Sequence, residues 1–235
     1  MPDDTAAPSH PQRRDPSIYG RRKGKTLRGH HTALMDGLLP ALALDLARPL
    51  DPFALFEAPK RDLWLEVGFG GGEHLALQAQ RHPDAGIIGC EPFINGVAKA
   101  LALIAEHDLR NVRLHAGDAG DVIAALPPAS LGRVYILYPD PWPKRRQLKR
   151  RFVSDEMLAA LARVMRPGAA LRFATDIDSY AAWTLARILR SPDFTWNAQA
   201  ATDWTVPWDG WEPTRFEQRA RREGRPSAYL TFARR

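Results

Sequence analysis

The sequence predicts an α/β protein built on a mostly parallel, seven-stranded, doubly wound sheet, with helices on both faces and an antiparallel hairpin at one edge. Three observations carry that expectation. From Leu63 onward, short apolar runs alternate with amphipathic helical segments, the pattern of successive βα units. A glycine cluster, Gly68 to Gly72, stands where the first run meets the first helical segment. The C-terminal stretch then abandons strict alternation, as an antiparallel pair at the sheet edge requires.

Taken in order, residues 1–17 are rich in Pro, Asp and Arg and hold no apolar run, so they read as a disordered tail and not as a signal-peptide core. Residues 18–62 read as a basic arm and helical lead-in. There Arg21, Arg22, Lys23, Lys25 and Arg28 are interleaved with glycines, which suits a mobile arm on phosphates, the plain alternative being a solvated tail. Residues 63–235 form the sheet-bearing domain. Strands are expected at 63–68, 87–91, 111–115, 133–138 and 170–174, with edge strands near 194–200 and 228–232. Helices are expected at 73–82, 96–107, 154–165 and 179–189, the third stopped by Arg166, Pro167 and Gly168.

Lys and Arg number 33 against 27 Asp and Glu, a net charge of +6 that suits a polyanionic partner without proving one. The single cysteine, Cys90, excludes an internal disulfide and any CxxC metal site, and GCEP marks it as a core residue. The histidines show no metal spacing, so no metal is expected. No run is long enough to span a bilayer. The expected location is the cytoplasm.

In a doubly wound sheet, ligands sit beyond the carboxyl ends of the strands. Here those ends are acidic: Glu66 with Gly68, Gly70 and Gly72 at the first, Glu91 at the second, Asp118 after the third and Asp140 after the fourth. The loop EVGFGGG lacks the third glycine of a dinucleotide fingerprint, and Glu73 stands in its place, where a carboxylate opposes a pyrophosphate. S-adenosylmethionine carries no phosphate and fits better. The glycines admit its methionyl part, Glu66 can serve its ammonium group, Glu91 the ribose hydroxyls and Asp118 the adenine amino group.

After the fourth strand comes LYPDPWPKRRQLKRR (137–151). Pro139, Pro141 and Pro143 stiffen a loop that presents Asp140 and Trp142 at the ligand edge, where a nucleobase can stack on the indole. Lys144, Arg145, Arg146, Lys149, Arg150 and Arg151 then suit the flanking phosphates. Trp204, Trp208 and Trp211 read as core or lid packing, with base contact as the alternative.

EVGFGGG, CEPF at 90–93, PDPWPKRRQLKRR, TD at 175–176 and TRFEQRARREG at 214–224 together resemble the bacterial tRNA (guanine-N7-)-methyltransferase family, in that order and over roughly residues 18–235. The resemblance implies a Rossmann-like class I fold that uses S-adenosylmethionine to methylate guanine N7 in the tRNA variable loop. It implies cofactor positions at Glu66, Glu91, Asp118 and Asp140, with Asp140 catalytic. It also implies substrate contacts at Lys144, Asp176, Thr214, Arg215, Phe216 and Glu217, and RNA contacts at Arg146, Lys149, Arg150 and Arg151. Pro139 departs from the family, which commonly has Asn there. Three other readings stay open: a methyltransferase acting on another RNA or an amine acceptor, a nucleic-acid binding protein on a dead fold, and an NAD-dependent oxidoreductase.

Overall fold

The computed structural model describes residues 20 and 22–235, so the tail expected over 1–17 and Arg21 of the basic arm lie outside the described residues. Seven strands form one sheet in the order β3-β2-β1-β4-β5-β7-β6. They are β1 Asp62–Val67, β2 Ala85–Cys90, β3 Val112–His115, β4 Leu131–Leu137, β5 Met165–Thr175, β6 Phe194–Thr195 and β7 Ala228–Arg234. Pairs among β1 to β5 run parallel. β7 runs antiparallel to both β5 and β6, which gives the expected antiparallel edge, although α8 and α9 lie between β6 and β7 so the pair is not a hairpin.

The lead-in contributes α1 Gly29–Gly37 and α2 Leu39–Leu42, and α3 Glu73–Arg81 and α4 Ile94–Glu106 follow β1 and β2. After them come α5 Ala119–Ala125, α6 Asp155–Val164, α7 Asp178–Ile188, α8 Thr202–Thr205 and α9 Arg215–Arg222. The period-2 alternation of the strands divides the core. Leu63, Leu65 and Val67 of β1 join Val122, Leu158 and Tyr180 of α5, α6 and α7 on one face. Trp64 of the same strand joins Leu75, Val97 and Leu101 of α3 and α4 on the other, where Trp208 and Trp211 also pack.

Two of the differences from the sequence expectation have local reasons. β5 begins at Met165, five residues early, because the MRPG stretch expected to end a helix pairs instead: Met165 lies opposite Leu131, and the register shifts before Arg133 pairs with Ala170. β6 keeps only Phe194–Thr195 of the expected 194–200.

A candidate methyl-transfer cleft at the carboxyl edge of the sheet

The strand order reverses between β1 and β4, and a cleft of about 430 Å³ opens beside that switch point at the carboxyl ends of the strands. Gly68 and Gly70 follow β1 with φ of +70° and +60°, backbone that side chains strain to adopt. Glu91, Asp118 and Asp140, from the ends of β2, β3 and β4, line the same cleft with Trp142.

Glu91 is almost wholly buried and accepts hydrogen bonds from the backbone N–H of Gly70 (2.7 Å) and Phe93 (2.9 Å). Burial pushes its carboxyl above the usual range, the two N–H donors pull it back, and the neighbouring Asp140 pushes it up again. Asp118 caps α5, its carboxylate accepting from Gly120 N–H at 2.8 Å. Asp140 stands at the exposed rim, yet the surrounding cleft walls withdraw enough solvent to raise its carboxyl too. Among the described residues no ion pair engages it.

The loop that carries Asp140 is held in unusual backbone. Tyr138 and Trp142 have φ of +49° and +42°, two of the four non-glycine residues with positive φ among those described. The Arg150 guanidinium lies 5.1 Å from the centre of the Trp142 ring. Arg145–Arg150 winds into a 3₁₀ helix on which Arg145, Arg146 and Lys149 are exposed, as is Lys144 just before it. Arg151, expected among the RNA contacts, is, unlike its neighbours, 4% exposed and turned into the protein.

The N-terminus of α9 closes the far side, where Arg215 and Phe216 line the cleft and Phe216 is 48% exposed. Thr214 caps that helix by accepting from Glu217 N–H at 3.2 Å. Glu217 itself is fully buried away from the cleft, accepting from the Tyr229 hydroxyl (2.6 Å), the Trp211 indole (2.7 Å) and Arg221. Asp176, after β5, is paired with Arg225 at 2.8 Å.

Glu66 also sits apart from the main cleft. Strand parity turns it to the α3 face beside Tyr135, its neighbour on β4, and its carboxylate meets His74 Nδ1 at 2.7 Å. It borders a side cavity of about 20 Å³ shared with Gly68 and Thr214. Gly72 marks the entry to α3, where a Cβ would come 2.5 Å from that of Ala100 on α4.

Tyr138, Phe93 and Phe152 line the cleft, and sequence reasoning did not single them out. The aromatic two residues after the acid in CEPF was the available signal for Phe93. Of the basic arm, residues 22–25 lie along the start of α4: Ile94 N–H donates to Arg22 O, and the Asn95 amide accepts from Gly24 N–H and donates to Lys25 O.

The acceptor set suits a nucleoside without phosphate. The Glu73 carboxylate folds back over the glycine loop, where a Cβ on Gly71 would meet it at 2.5 Å, so an anion already stands at the α3 N-terminus. Among the described residues no group of His, Cys, Asp and Glu has the arrangement to hold a metal ion, and no helix is long and apolar enough to cross a membrane.

Comparison with known proteins gives the fold and the family. A solved 16S rRNA methyltransferase, KamB, superposes with a TM-score of 0.51 at 22% identity, covering 74% of this chain and 88% of that one. TrmN from Thermus thermophilus does so with a TM-score of 0.53 at 12% identity, over 87% of this chain and 48% of its own. Both share the Rossmann-like fold. Residues 60–230 match a family model described as "Putative methyltransferase". A tRNA (guanine-N(7)-)-methyltransferase of Nitrobacter winogradskyi is 52% identical over 99% of this chain and 93% of its own length. One from Bradyrhizobium diazoefficiens is 52% identical over 96% of this chain and 98% of its own. With half its residues identical to such relatives along nearly its whole length, and a methyltransferase fold around the cleft, the chain belongs to the tRNA (guanine-N(7)-)-methyltransferase family.

Proposed function

We propose that this chain transfers the methyl group of S-adenosylmethionine to N7 of guanine in tRNA, in the cytoplasm, forming 7-methylguanosine. The observation that carries the reading is the convergence of Glu91, Asp118 and Asp140 on one cleft with Gly68, Gly70 and Trp142, beside the exposed cations of the 3₁₀ helix. The relatives named for this reaction fix which base and which atom the reading selects.

When bound, S-adenosylmethionine supplies an electrophilic methyl group on a sulfonium. Glu91 would accept from the ribose hydroxyls, Asp118 would take the adenine amino group, and Gly68 and Gly70 would let the methionyl part approach the backbone. Guanine N7 presents its lone pair in the normal tautomer, so no residue has to remove a proton first. The chain's contribution is alignment, worth up to about 7–11 kcal/mol for well-oriented reactants. Trp142 offers a stacking face, and Lys144, Arg146 and Lys149 hold the flanking phosphates.

Positive charge reaches the guanine ring as the methyl group moves, and an anion near the ring in a partly dry site stabilises it. Asp140 fits that role better than Asp176, whose charge is already answered by Arg225. The test is methyl transfer from labelled S-adenosylmethionine to bulk tRNA lacking the modification, followed by nucleoside analysis at two salt concentrations. Label in 7-methylguanosine, with activity falling as salt rises, is the expected result. Asp140→Ala is expected to lower kcat about 10²–10³-fold while cofactor affinity holds. Label in another nucleoside moves the target atom, and no label despite cofactor binding removes tRNA as the acceptor.

A further inference from the structure

Arg151 stands in a run of cations but does not share their environment. Its neighbours Arg150 and Phe152 both line the cleft, whereas Arg151 is turned inward and 4% exposed. Its Nε donates to Pro141 O at 2.9 Å, inside the loop that carries Asp140 and Trp142. Its two terminal nitrogens donate to Ser179 O (2.8 Å) and Ser179 Oγ (3.1 Å), at the start of α7. The guanidinium also lies 4.6 Å from the Tyr180 ring centre and 5.2 Å from that of Trp183.

Removing a guanidinium from water is costly, and a side chain whose task was to meet phosphate would stay in solvent. Here all three nitrogens are spent within the protein, on two segments far apart in sequence whose strands, β4 and β5, pair side by side. One is the loop after β4, with Asp140. The other is the first turn of α7, three residues after Asp176. Adjacent bonds tighten the same junction: the Trp183 indole donates to Val153 O at 2.7 Å. Between its fixed ends the loop holds Trp142 at positive φ, a conformation that needs an external tie to persist.

We propose that Arg151 is a positioning residue for methyl transfer: by bridging Pro141 O to Ser179 it fixes the Asp140–Trp142 loop against the strand end that carries Asp176. The inference rests on the reading of Asp140 given above, and it replaces an RNA contact by an internal latch.

The test compares Arg151→Met, Arg151→Lys and Asp140→Ala in the full chain, measuring kcat and KM for tRNA, cofactor affinity by calorimetry, and the slope of log affinity for tRNA against log salt. A loop released by about an ångström costs on the order of 10²-fold in rate. Arg151→Met is therefore expected to lose about that factor in kcat, with cofactor affinity and salt slope unchanged. Arg151→Lys, which keeps a donor but not the fork, is expected to recover part of the loss. Should Arg151→Met unfold, Arg151→Ala assayed with millimolar guanidinium, against sodium chloride at equal ionic strength, supplies the readout: activity returning with guanidinium alone supports the latch. A raised KM and a salt slope shallower by about one, with kcat intact, would make Arg151 a phosphate contact and overturn the proposal. Failure of the Asp140 reading is separate, since it appears as normal kcat in Asp140→Ala whatever Arg151 does.

Discussion

Glu217, buried in the helix that closes the far side of the cleft, and Asp140, on the cleft rim, are acids whose surroundings give them different work. Glu217 is wholly enclosed, and Tyr229, Trp211 and Arg221 donate to it. Asp140 sits on the rim of the opening, its carboxyl raised by partial burial and engaged by no ion pair among the described residues. A carboxylate whose lone pairs are answered internally holds elements together; one left facing a concavity has its charge available to a ligand. Glu66, buried against His74 behind the glycine loop, belongs with Glu217, and Glu91 falls between the two kinds.

That contrast breaks most sharply at Glu217. Alanine there strands the Tyr229 hydroxyl and the Trp211 indole, and loss of one partner from a buried charged network costs about 3–5 kcal/mol. For a chain of this size such a loss lowers the melting temperature by roughly 10 °C, which scanning calorimetry reads directly. Asp140→Ala should leave the melting temperature almost unmoved. A Glu217→Ala protein that melts normally but loses tRNA turnover would make Glu217 the substrate contact its motif implies, and the distinction between the two acids would fail.

Glu91 sharpens the comparison from the middle. Its carboxylate organises the glycine loop through Gly70 N–H and also faces the cleft. Hydrogen bonds to a charged group contribute about 1.5–3 kcal/mol, so Glu91→Ala is expected to weaken S-adenosylmethionine binding about 10–100-fold in calorimetry. The affinity for tRNA alone should change little, because the exposed cations lie elsewhere. Equal losses for both ligands would mean that Glu91 supports the whole edge of the sheet and has no particular tie to the cofactor.

The sheet was legible because its signals are local: apolar runs of strand length, Gly68 to Gly72 at the first turn, and Pro or Gly at the ends of segments. What remained hidden depends on which way a side chain turns. Helix α9 buries only Glu217 and Ala220, so it lacks an apolar stripe, although Thr214 three residues before Glu217 is a capping-box signature. Helix α5 is a short AGDVIAA segment whose one start signal, Asp118, had already been read as a ligand. In KRR at 149–151 three adjacent cations look alike in sequence, and only the fold turns the last one inward. The Glu66–His74 pair joins a strand to the following helix across a turn, a contact set by strand parity and by where α3 begins.

The smallest expected effect is the pH dependence of Asp140, and it tests the same contrast without removing an atom from the scaffold. Its carboxyl is raised by burial, so protonation begins at higher pH than for an ordinary aspartate. If the anion stabilises charge on guanine, kcat at saturating cofactor and tRNA falls as pH drops through that raised value, and Asp140→Asn flattens this acidic limb. The stability effect has the opposite sign. A carboxyl raised on folding binds its proton more tightly in the folded chain, so the cost of its charge is present above the folded pKa and is released as pH falls through it. Asp140→Asn should therefore melt slightly higher than the parent protein at neutral pH and identically at acid pH, the difference being small because the rim is solvated. A parent protein whose acidic limb survives intact in Asp140→Asn would place the charge-stabilising anion elsewhere in the cleft, with Asp176 the next to test.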